Sequence, residues 1–230
     1  MIKPGTIISF EGLDYSFKET NTKKLYEYIK ENITDKVILL SFPNYGSISS
    51  TFVKEYLSGK YGKASELGCY ESSLCYAIDR YDTIMSLNIK DKIKEGYIIV
   101  IDRYVESNII FQSTKLKTIE EINKYIDWTI DLEYDKAGLP KPDLTIFMDM
   151  PVEVSHKLML ERELKNGMGT DGHESDYNFM FDVEKNAKNI IIPKLGIKTI
   201  HCLNEDNNIK SEEEIFDNII ELIEKELTIY

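Results

Sequence analysis

A segment near the start of the chain carries residue types that could bind phosphate. The predicted strand Thr6 to Phe10 is followed by Gly12 and, six positions later, by Lys18, where a polar helix is predicted to begin. Gly and Lys have this spacing in the phosphate-binding loop G-x-x-x-x-G-K-S/T, whose backbone N–H groups and ammonium surround phosphate oxygens. Phe17 replaces the second glycine and Glu19 the hydroxyl residue, so the segment alone fits a surface lysine on a first helical turn equally well.

A carboxylate and a guanidinium stand together after another predicted strand. Asp102 and Arg103 follow the apolar run Tyr97 to Ile101. A carboxylate at a strand end can hold Mg²⁺, directly or through water, and an arginine can donate two parallel hydrogen bonds to a phosphate. Taken alone, the pair is also compatible with a structural ion pair at a strand end.

A tyrosine and an arginine lie four residues apart in a segment with helical periodicity. Tyr76 and Arg80 would therefore share one face of the helix. The ring could stack on a planar base while the guanidinium donates hydrogen bonds to its edge. An ordinary aromatic–arginine contact on a helix surface is the simpler interpretation of this pair in isolation.

Apolar strand-like segments and amphipathic helix-like segments alternate along the chain, which predicts a mainly parallel sheet with helices on both faces. The predicted strands are Thr6 to Phe10, Val37 to Phe42, Tyr97 to Ile101, Leu144 to Met148 and Thr199 to Leu203. The predicted helices are Lys18 to Asn32, Ser49 to Leu57, Gly68 to Glu95, Glu106 to Gln112, Thr118 to Tyr134, one starting at Pro151, Ser175 to Ile192, and Ser211 to Leu227.

The candidate ligand-binding residues cluster at one edge of this predicted sheet. Ligands of such sheets bind beyond the carboxyl ends of the strands. The segments Gly12 to Lys18, Phe42 to Tyr45 and Asp102-Arg103 each follow a predicted strand, so we expect them to lie close together. We expect one domain over residues 1–230, with a mobile glycine-rich segment at about 165–174.

Composition excludes several classes of partner. The chain has 230 residues, a formal net charge of −12 and a pI of about 4.8, whereas proteins that bind nucleic acid or anionic membranes need a basic face. Its three cysteines lack metal-ligand spacing and suit a reducing compartment. Because neither a signal-peptide pattern nor a run of about 18 apolar residues is present, we predict a cytoplasmic location.

Taken in order, these segments resemble the thymidylate kinase family. The match comprises Phe10-Glu11-Gly12-Leu13-Asp14, Phe42-Pro43, Asp79-Arg80, Asp102-Arg103-Tyr104 with Ser107, Asn108 and Gln112, and Gly138-Leu139-Pro140-Lys141-Pro142-Asp143-Leu144. The resemblance implies an α/β fold of the P-loop NTPase type, a three-layer α/β/α sandwich with a five-stranded sheet. It also implies transfer of the ATP γ-phosphoryl group to dTMP with Mg²⁺, and a homodimer.

The same resemblance implies roles for individual residues. Residues at catalytic positions would be Lys18, Asp14, Asp102 and Arg103. Residues around ATP would be Gly12, Ser16, Lys18 and Thr20, and residues around Mg²⁺ would be Asp102 and Glu19. Residues around dTMP would be Phe42, Tyr76, Arg80, Arg103, Tyr104, Ser107 and Gln112. The segment at about 165–174 would be the lid.

The chain departs from the family pattern at four positions. Tyr15 and Phe17 replace loop residues that are usually small or glycine, Glu19 replaces a Mg²⁺-binding hydroxyl, and Tyr45 stands where many members have an arginine. A catalytically impaired, nucleotide-binding relative is therefore the alternative to an active kinase. A kinase for another pyrimidine deoxynucleotide is a third interpretation.

Overall fold

Five parallel strands form one sheet in the computed structural model, which describes residues 2–63, 66–166 and 177–227 of the chain; the side chains of 162–166 are outside this description. The strands are β1 (Ile7–Gly12), β2 (Val37–Ser41), β3 (Ile98–Asp102), β4 (Leu144–Asp149) and β5 (Lys198–His201). Their order in the sheet is β2-β3-β1-β4-β5, and every neighbouring pair is parallel. The predicted α/β fold with a five-stranded parallel sheet is confirmed.

Helices connect the strands and cover both faces of the sheet. In the described residues these are α1 (Lys18–Asn32), α2 (Thr51–Leu57), α3 (Cys69–Ser86), α4 (Ile89–Lys94), α5 (Val105–Gln112), α6 (Ile119–Ile130), α7 (Val152–Asn166), α8 (Tyr177–Asn186), α9 (Ile192–Leu195) and α10 (Glu212–Leu227). A 3₁₀ turn spans Ser113–Lys115, and π-helical turns span Asp131–Lys136 and Ala187–Ile191.

Successive strand residues pack into two separate apolar cores, because side chains in a strand alternate between the two faces of the sheet. On one face Ile7, Ile99 and Phe147 pack with residues of α3, α5, α6 and α8. On the other face Ile8 and Val100 pack with residues of α1 and α10. Both faces of the central strands are buried, which explains why their sequences are continuous apolar runs rather than alternating ones.

The helix predicted from Gly68 to Glu95 is in fact two helices. α3 ends at Ser86, and Asn88 has φ 53°, in the left-handed region, before α4 begins at Ile89. Asparagine adopts this conformation more readily than most residues. The prediction of one helix was wrong because apolar residues continue through the break, and Ile89 is buried despite the change in direction.

The helix predicted from Thr118 to Tyr134 has its expected start but a different end. Thr118 and Glu121 form the predicted capping box, in which each side chain accepts a hydrogen bond from the backbone N–H of the other residue. The regular α-helix ends at Ile130, and the chain continues as the π-helical turn Asp131–Lys136. Such turns are rare and occur preferentially near functional sites.

Two further expectations concern the lid and the membrane. The segment predicted as a lid, at about 165–174, lies almost wholly outside the described residues. Over the described ranges, the structure has no helix of sufficient length and apolarity to span a bilayer.

Candidate active site

One cleft at the carboxyl end of the sheet is lined by all seven residues that the sequence predicts around an acceptor nucleotide. It is concave and combines aromatic side chains with a few polar and charged ones, as small-molecule sites do. The predicted residues that line it are Phe42, Tyr76, Arg80, Arg103, Tyr104, Ser107 and Gln112. We call this cavity the acceptor cleft.

A second cleft adjoins the acceptor cleft and is lined by the loop between β1 and α1. We call it the phosphate cleft. The predicted residues lining it include Ser16, Lys18, Glu19, Thr20 and Asp102. The two clefts share Asp14, Phe42, Pro43, Tyr45 and Arg103. A molecule in one cleft would therefore meet a molecule in the other at these five shared residues.

The loop from Gly12 to Lys18 has backbone angles that glycine adopts most readily. Tyr15 has φ 58° and Phe17 has φ 60°, and these are two positions where family members usually have small residues or glycine. A left-handed conformation costs about 1–2 kcal/mol for an ordinary residue. Phe17 packs against the core beneath α1 and α10, which offsets part of that cost.

Gly12 is required at the start of this loop. Its φ is +150°, and a Cβ atom there would lie 2.7 Å from Ser16 Oγ and 2.9 Å from the Met148 carbonyl oxygen. The hydroxyl of Ser16 is already used, since it donates to the Leu13 carbonyl oxygen at 2.7 Å. Ser16 therefore stabilises the loop with its side chain and can offer its backbone N–H to a ligand.

Lys18 and Asp102 face each other at the base of the phosphate cleft. The Lys18 ammonium is 3.8 Å from Asp102 Oδ1, and both residues are buried. Burial and the neighbouring charge of Arg103 lower the pKa of Lys18. Two cations in a desolvated pocket make it attractive to a polyanion such as a phosphate chain.

Asp102 fits a metal-binding role in one respect. Its Oδ1 atom is buried and has no hydrogen-bond partner among the described residues. In the described part of the chain, no cluster of three or more His, Cys, Asp or Glu residues is placed to hold a metal. Mg²⁺ is commonly held by one or two carboxylates together with substrate phosphates and water, so a buried carboxylate oxygen whose ion pair with Lys18 is as long as 3.8 Å suits it.

Arg103 connects the phosphate-binding loop to the acceptor cleft. Its Nη2 forms an ion pair with Asp14, and its Nη1 donates to the Gly12 carbonyl oxygen at 3.1 Å. The guanidinium lies over the ring of Phe111, 5.1 Å from its centroid. Burial would lower the pKa of Arg103, but the charges of Asp14, Asp102 and Glu11 outweigh it and the pKa is raised.

Glu11, at the end of β1, binds residues at the start of α5. The sequence analysis did not assign this role. Its carboxylate is fully buried and accepts a hydrogen bond from the Tyr104 backbone N–H at 2.7 Å and another from the Ser107 hydroxyl. Burial raises the pKa of Glu11 and outweighs these two hydrogen bonds, which lower it. The consequence is that the end of β1 fixes the start of α5, on which Ser107 stands.

Asp79 explains why the Asp79-Arg80 pair occurs on α3. The Asp79 carboxylate accepts hydrogen bonds from the Asn44 backbone N–H at 2.7 Å, from Ser47 Oγ at 3.0 Å and from Ser49 Oγ at 3.1 Å. Asp79 thus anchors the loop after β2, which carries Phe42, while the next residue, Arg80, lines the acceptor cleft.

The guanidinium of Arg80 is bound by Glu133, a residue that no sequence motif indicated. Its Nε and Nη2 atoms each donate to a carboxylate oxygen of Glu133 at 2.6 Å. Tyr76, one turn earlier on α3, lines the same cleft, and its ring meets that of Tyr56 edge-on at 5.9 Å. The predicted ring and guanidinium are therefore both present in one cavity.

The remaining walls of the acceptor cleft are tightly packed. Tyr104 is fully buried, donates to the Pro140 carbonyl oxygen at 3.0 Å and lies 5.9 Å from the ring of Phe42. Gln112 Oε1 accepts a hydrogen bond from Ser72 at 2.9 Å. These contacts leave little freedom for the side chains that the sequence placed around the sugar and the base.

Helix α5 brings two further residues into the cleft that were given no role from the sequence. Asn108 and Phe111 lie on the same face of α5 as Ser107 and Gln112 and line the acceptor cleft with them. The Oδ1 atom of Asn108 is buried and has no hydrogen-bond partner. The three-to-four-residue spacing on α5 was the signal that could have identified them.

Comparison with known proteins decides the family. The family model described as thymidylate kinase matches residues 10–212. The chain belongs to the thymidylate kinase family. It is 27% identical to the human thymidylate kinase over 224 residues, which cover 92% of each chain, and 35% identical to that of a Sulfurihydrogenibium species over 161 residues, 68% of this chain and 72% of the relative.

A solved structure supports the fold. The thymidylate kinase from Candida albicans superimposes with a TM-score of 0.70 at 24% sequence identity, covering 98% of this chain and 93% of the other. Thymidylate kinases are phosphotransferases that use ATP and a divalent metal, so the family supplies the chemistry that the two clefts suggest.

A buried carboxyl beneath the acceptor cleft makes the stability of this thymidylate kinase family member depend on pH. Burial and the charge of Glu11 raise the pKa of Glu106 from 4.5 to about 7, although Tyr134 donates a hydrogen bond to it at 2.6 Å. Within the part of the chain that the structure describes, its Oε2 atom has no hydrogen-bond partner. The folded chain therefore binds this proton in a pH range where the unfolded chain has lost it, and stability falls as the pH rises from about 4.5 to 7.

We expect Glu106→Gln to remove this dependence, because glutamine resembles the protonated carboxyl. The free energy of unfolding of the variant, relative to the wild type, should be higher at pH 8 than at pH 5 by up to about 3 kcal/mol. Urea denaturation at the two pH values measures it. The exposed Glu224→Gln change on α10 is the control, and an equal effect of both variants would contradict the assignment.

Proposed function

We propose that this protein transfers the γ-phosphoryl group of ATP to dTMP, giving dTDP and ADP. The observation that carries the proposal is the meeting of two clefts at Asp14 and Arg103, one lined by the predicted acceptor residues and one by the predicted phosphate-loop residues. Phosphoryl transfer needs little more than this, since positioning and charge stabilisation account for most of its catalysis.

In the proposed complex the thymine lies in the acceptor cleft. Tyr76 stacks on the base, Arg80 donates to its edge, and Gln112 faces it. Phe42 and Tyr104 lie against the nucleoside, and we propose that Tyr104 disfavours a 2′-hydroxyl on its sugar. The acceptor phosphate would then point towards Arg103, beside Asp14 and Ser107.

The phosphate cleft provides the groups for the donor. The backbone N–H groups from Gly12 to Thr20 and the ammonium of Lys18 surround the donor phosphates at the start of α1. Arg103 and Lys18 stabilise the negative charge on the transferred group. Asp102 would hold Mg²⁺, which neutralises charge on the donor phosphates when bound.

Glu19 stays a predicted second metal ligand. It stands at the first turn of α1 and lines the phosphate cleft, but its carboxylate is 66% exposed and accepts a hydrogen bond from Lys23 at 2.6 Å. A metal bound at this carboxylate would compete with the Lys23 ammonium and cause the ion pair to rearrange. The proposed chemistry does not depend on this rearrangement.

A homodimer and a cytoplasmic location remain predictions from the sequence and the resemblance. One feature that supports the dimer is an apolar stripe on α3, formed by Tyr70, Leu74, Ile78 and Tyr81, each 38–48% exposed. Residues at this spacing lie on one helix face. A contiguous exposed apolar face of this kind is typical of a self-complementary interface.

We expect Lys18→Met to lower turnover by at least about 100-fold, because it removes a cation that stabilises the transferred phosphoryl group. A coupled assay of ADP formation with dTMP, ATP and Mg²⁺ measures the effect. Lys30→Met, at the exposed end of the same helix, is the matched control. The absence of any dTMP-dependent turnover by the wild-type protein at high enzyme concentration would refute the proposed function.

We expect the double variant Tyr15→Gly, Phe17→Gly to bind ATP–Mg²⁺ more tightly than the wild type. Both positions already have the left-handed backbone that glycine adopts without strain, and both side chains line the phosphate cleft. Isothermal titration calorimetry measures the change. Unchanged or weaker ATP binding by a folded variant would show that these side chains do not limit access to the loop.

We expect Ile78→Lys to shift the protein towards monomers, because a charge in an apolar interface is left without a partner. Light scattering coupled to size-exclusion chromatography gives the mass in solution. Leu160→Lys, an equally exposed leucine on α7, is the control. A variant with the mass of the wild-type dimer would exclude the α3 stripe as the interface.

A further inference from the structure

A buried ion pair beside the acceptor cleft joins α3 to the π-helical turn after α6. Arg80 and Glu133 are connected by two parallel hydrogen bonds of 2.6 Å, and their side chains are only 3% and 1% exposed. Burial would lower the pKa of Arg80, but the charge and the hydrogen bonds of Glu133 outweigh it and the pKa is raised. The guanidinium is therefore charged and fixed in one plane before any ligand arrives.

The geometry of this pair determines what Arg80 can offer to a ligand. A guanidinium carries five N–H donors, two of which point along the edge formed by Nε and Nη2. That edge faces Glu133, whereas Arg80 also lines the acceptor cleft. The nitrogen outside the pair is Nη1, a group that donates hydrogen bonds and cannot accept them.

We propose that Glu133 is a positioning residue that holds Arg80 for the base of the acceptor, and so favours a pyrimidine with a carbonyl oxygen at position 4 over one with an amino group. This inference rests on the proposed function, because it takes thymine as the base in the cleft. A donor-only group satisfies the 4-oxo edge of thymine or uracil and leaves the 4-amino edge of cytosine without a partner. A site that pairs a buried polar group discriminates strongly against a base that leaves it unpaired.

A second contact of Glu133 also supports a positioning role. Its Oε1 atom also accepts a long hydrogen bond, 3.5 Å, from the side-chain amide of Asn108. Asn108 lines the acceptor cleft, and its own Oδ1 atom is buried without a partner. The Glu133 carboxylate, which does not itself line the cleft, therefore contacts two residues that do, Arg80 and Asn108.

The position of Glu133 follows from the helical spacing of the buried face of α6. The α6 residues Ile122, Tyr125, Ile126 and Thr129 are buried, and Glu133 continues that buried face into the turn Asp131–Lys136. The next residue, Tyr134, is buried as well and reaches Glu106. Two successive residues of this turn are thus buried, Glu133 beside Arg80 and Tyr134 beside Glu106.

The test uses the full chain and separates positioning from charge. Glu133→Asp keeps the charge next to Arg80 but is one methylene too short to maintain both hydrogen bonds, and Glu133→Gln removes the charge. Arg80→Met removes the group that Glu133 is proposed to orient. Glu120→Asp, an exposed glutamate on α6, is the matched control. Thermal unfolding shows which variants are folded, and calorimetry measures their binding of dTMP and dCMP.

We expect Glu133→Asp to raise the dissociation constant and the KM for dTMP about 10-fold while kcat changes by less than about threefold, because the lost contact serves binding of the base. Binding of dCMP should change little, so the preference for dTMP falls about 10-fold. In the Arg80→Met background, Glu133→Asp should have no further effect. Wild-type affinity for dTMP in folded Glu133→Asp, or additive effects of the two changes, would overturn the proposal.

Two outcomes distinguish this inference from the proposed function. If the wild type binds dTMP but forms no dTDP, the proposed kinase activity fails, and the binding data alone still decide the role of Glu133. If Glu133→Asp does not fold, the apolar pair Arg80→Met, Glu133→Met replaces both partners with side chains of similar size. Affinity for dTMP equal to that of Arg80→Met supports positioning through Arg80, and a different affinity refutes it.

Discussion

The whole site depends on the interactions of Arg103, which join three segments at the centre of the sheet. Its backbone N–H donates to the Phe10 carbonyl oxygen at 2.9 Å, and its side chain bonds Gly12 and Asp14. These contacts are possible because β1 and β3 are neighbours in the sheet and are parallel, so both strands end at the same edge. The strand order β2-β3-β1-β4-β5 is thus the reason that residues about 90 positions apart in sequence form one site.

The strand order also explains how an acidic chain can gather positive charge in one pocket. The chain has a net charge of −12, yet Lys18 and Arg103 lie close together in the shared part of the two clefts. Their mutual repulsion is relieved by Asp14, Asp102 and Glu11, which are buried or half-buried beside them. Carboxylates next to the cations keep the pocket stable when it is empty, and phosphate can interact with the same cations.

Much of this arrangement could be predicted from the sequence, because it depends on local patterns. The apolar runs identified all five strands. The alternation of strands and helices predicted a parallel sheet, in which the motifs after β1, β2 and β3 lie at one edge. The capping box at Thr118 and Glu121 identified the start of α6 directly. Local patterns were sufficient wherever a side chain acts on its own element or at the end of its own strand.

The sequence could not reveal features that depend on contacts between distant elements. Glu133 contacts Arg80 across 53 positions, and Glu11 contacts Ser107 across 96, with no local signal for either pair. The break at Asn88 was hidden because the apolar residues continue through it. The backbone at Tyr15 and Phe17 has the shape associated with glycine although neither is glycine, since surrounding contacts, and not local preference, determine the conformation of this loop.

The π-helical turn Asp131–Lys136 has a consequence for how this chain can vary. Each residue added to or removed from a helix rotates everything beyond it by about 100° around the axis. A relative with one residue more or fewer before the position of Glu133 would therefore present a different side chain to the arginine of α3. Along this stretch the number of residues is constrained more tightly than the identity of those that face solvent.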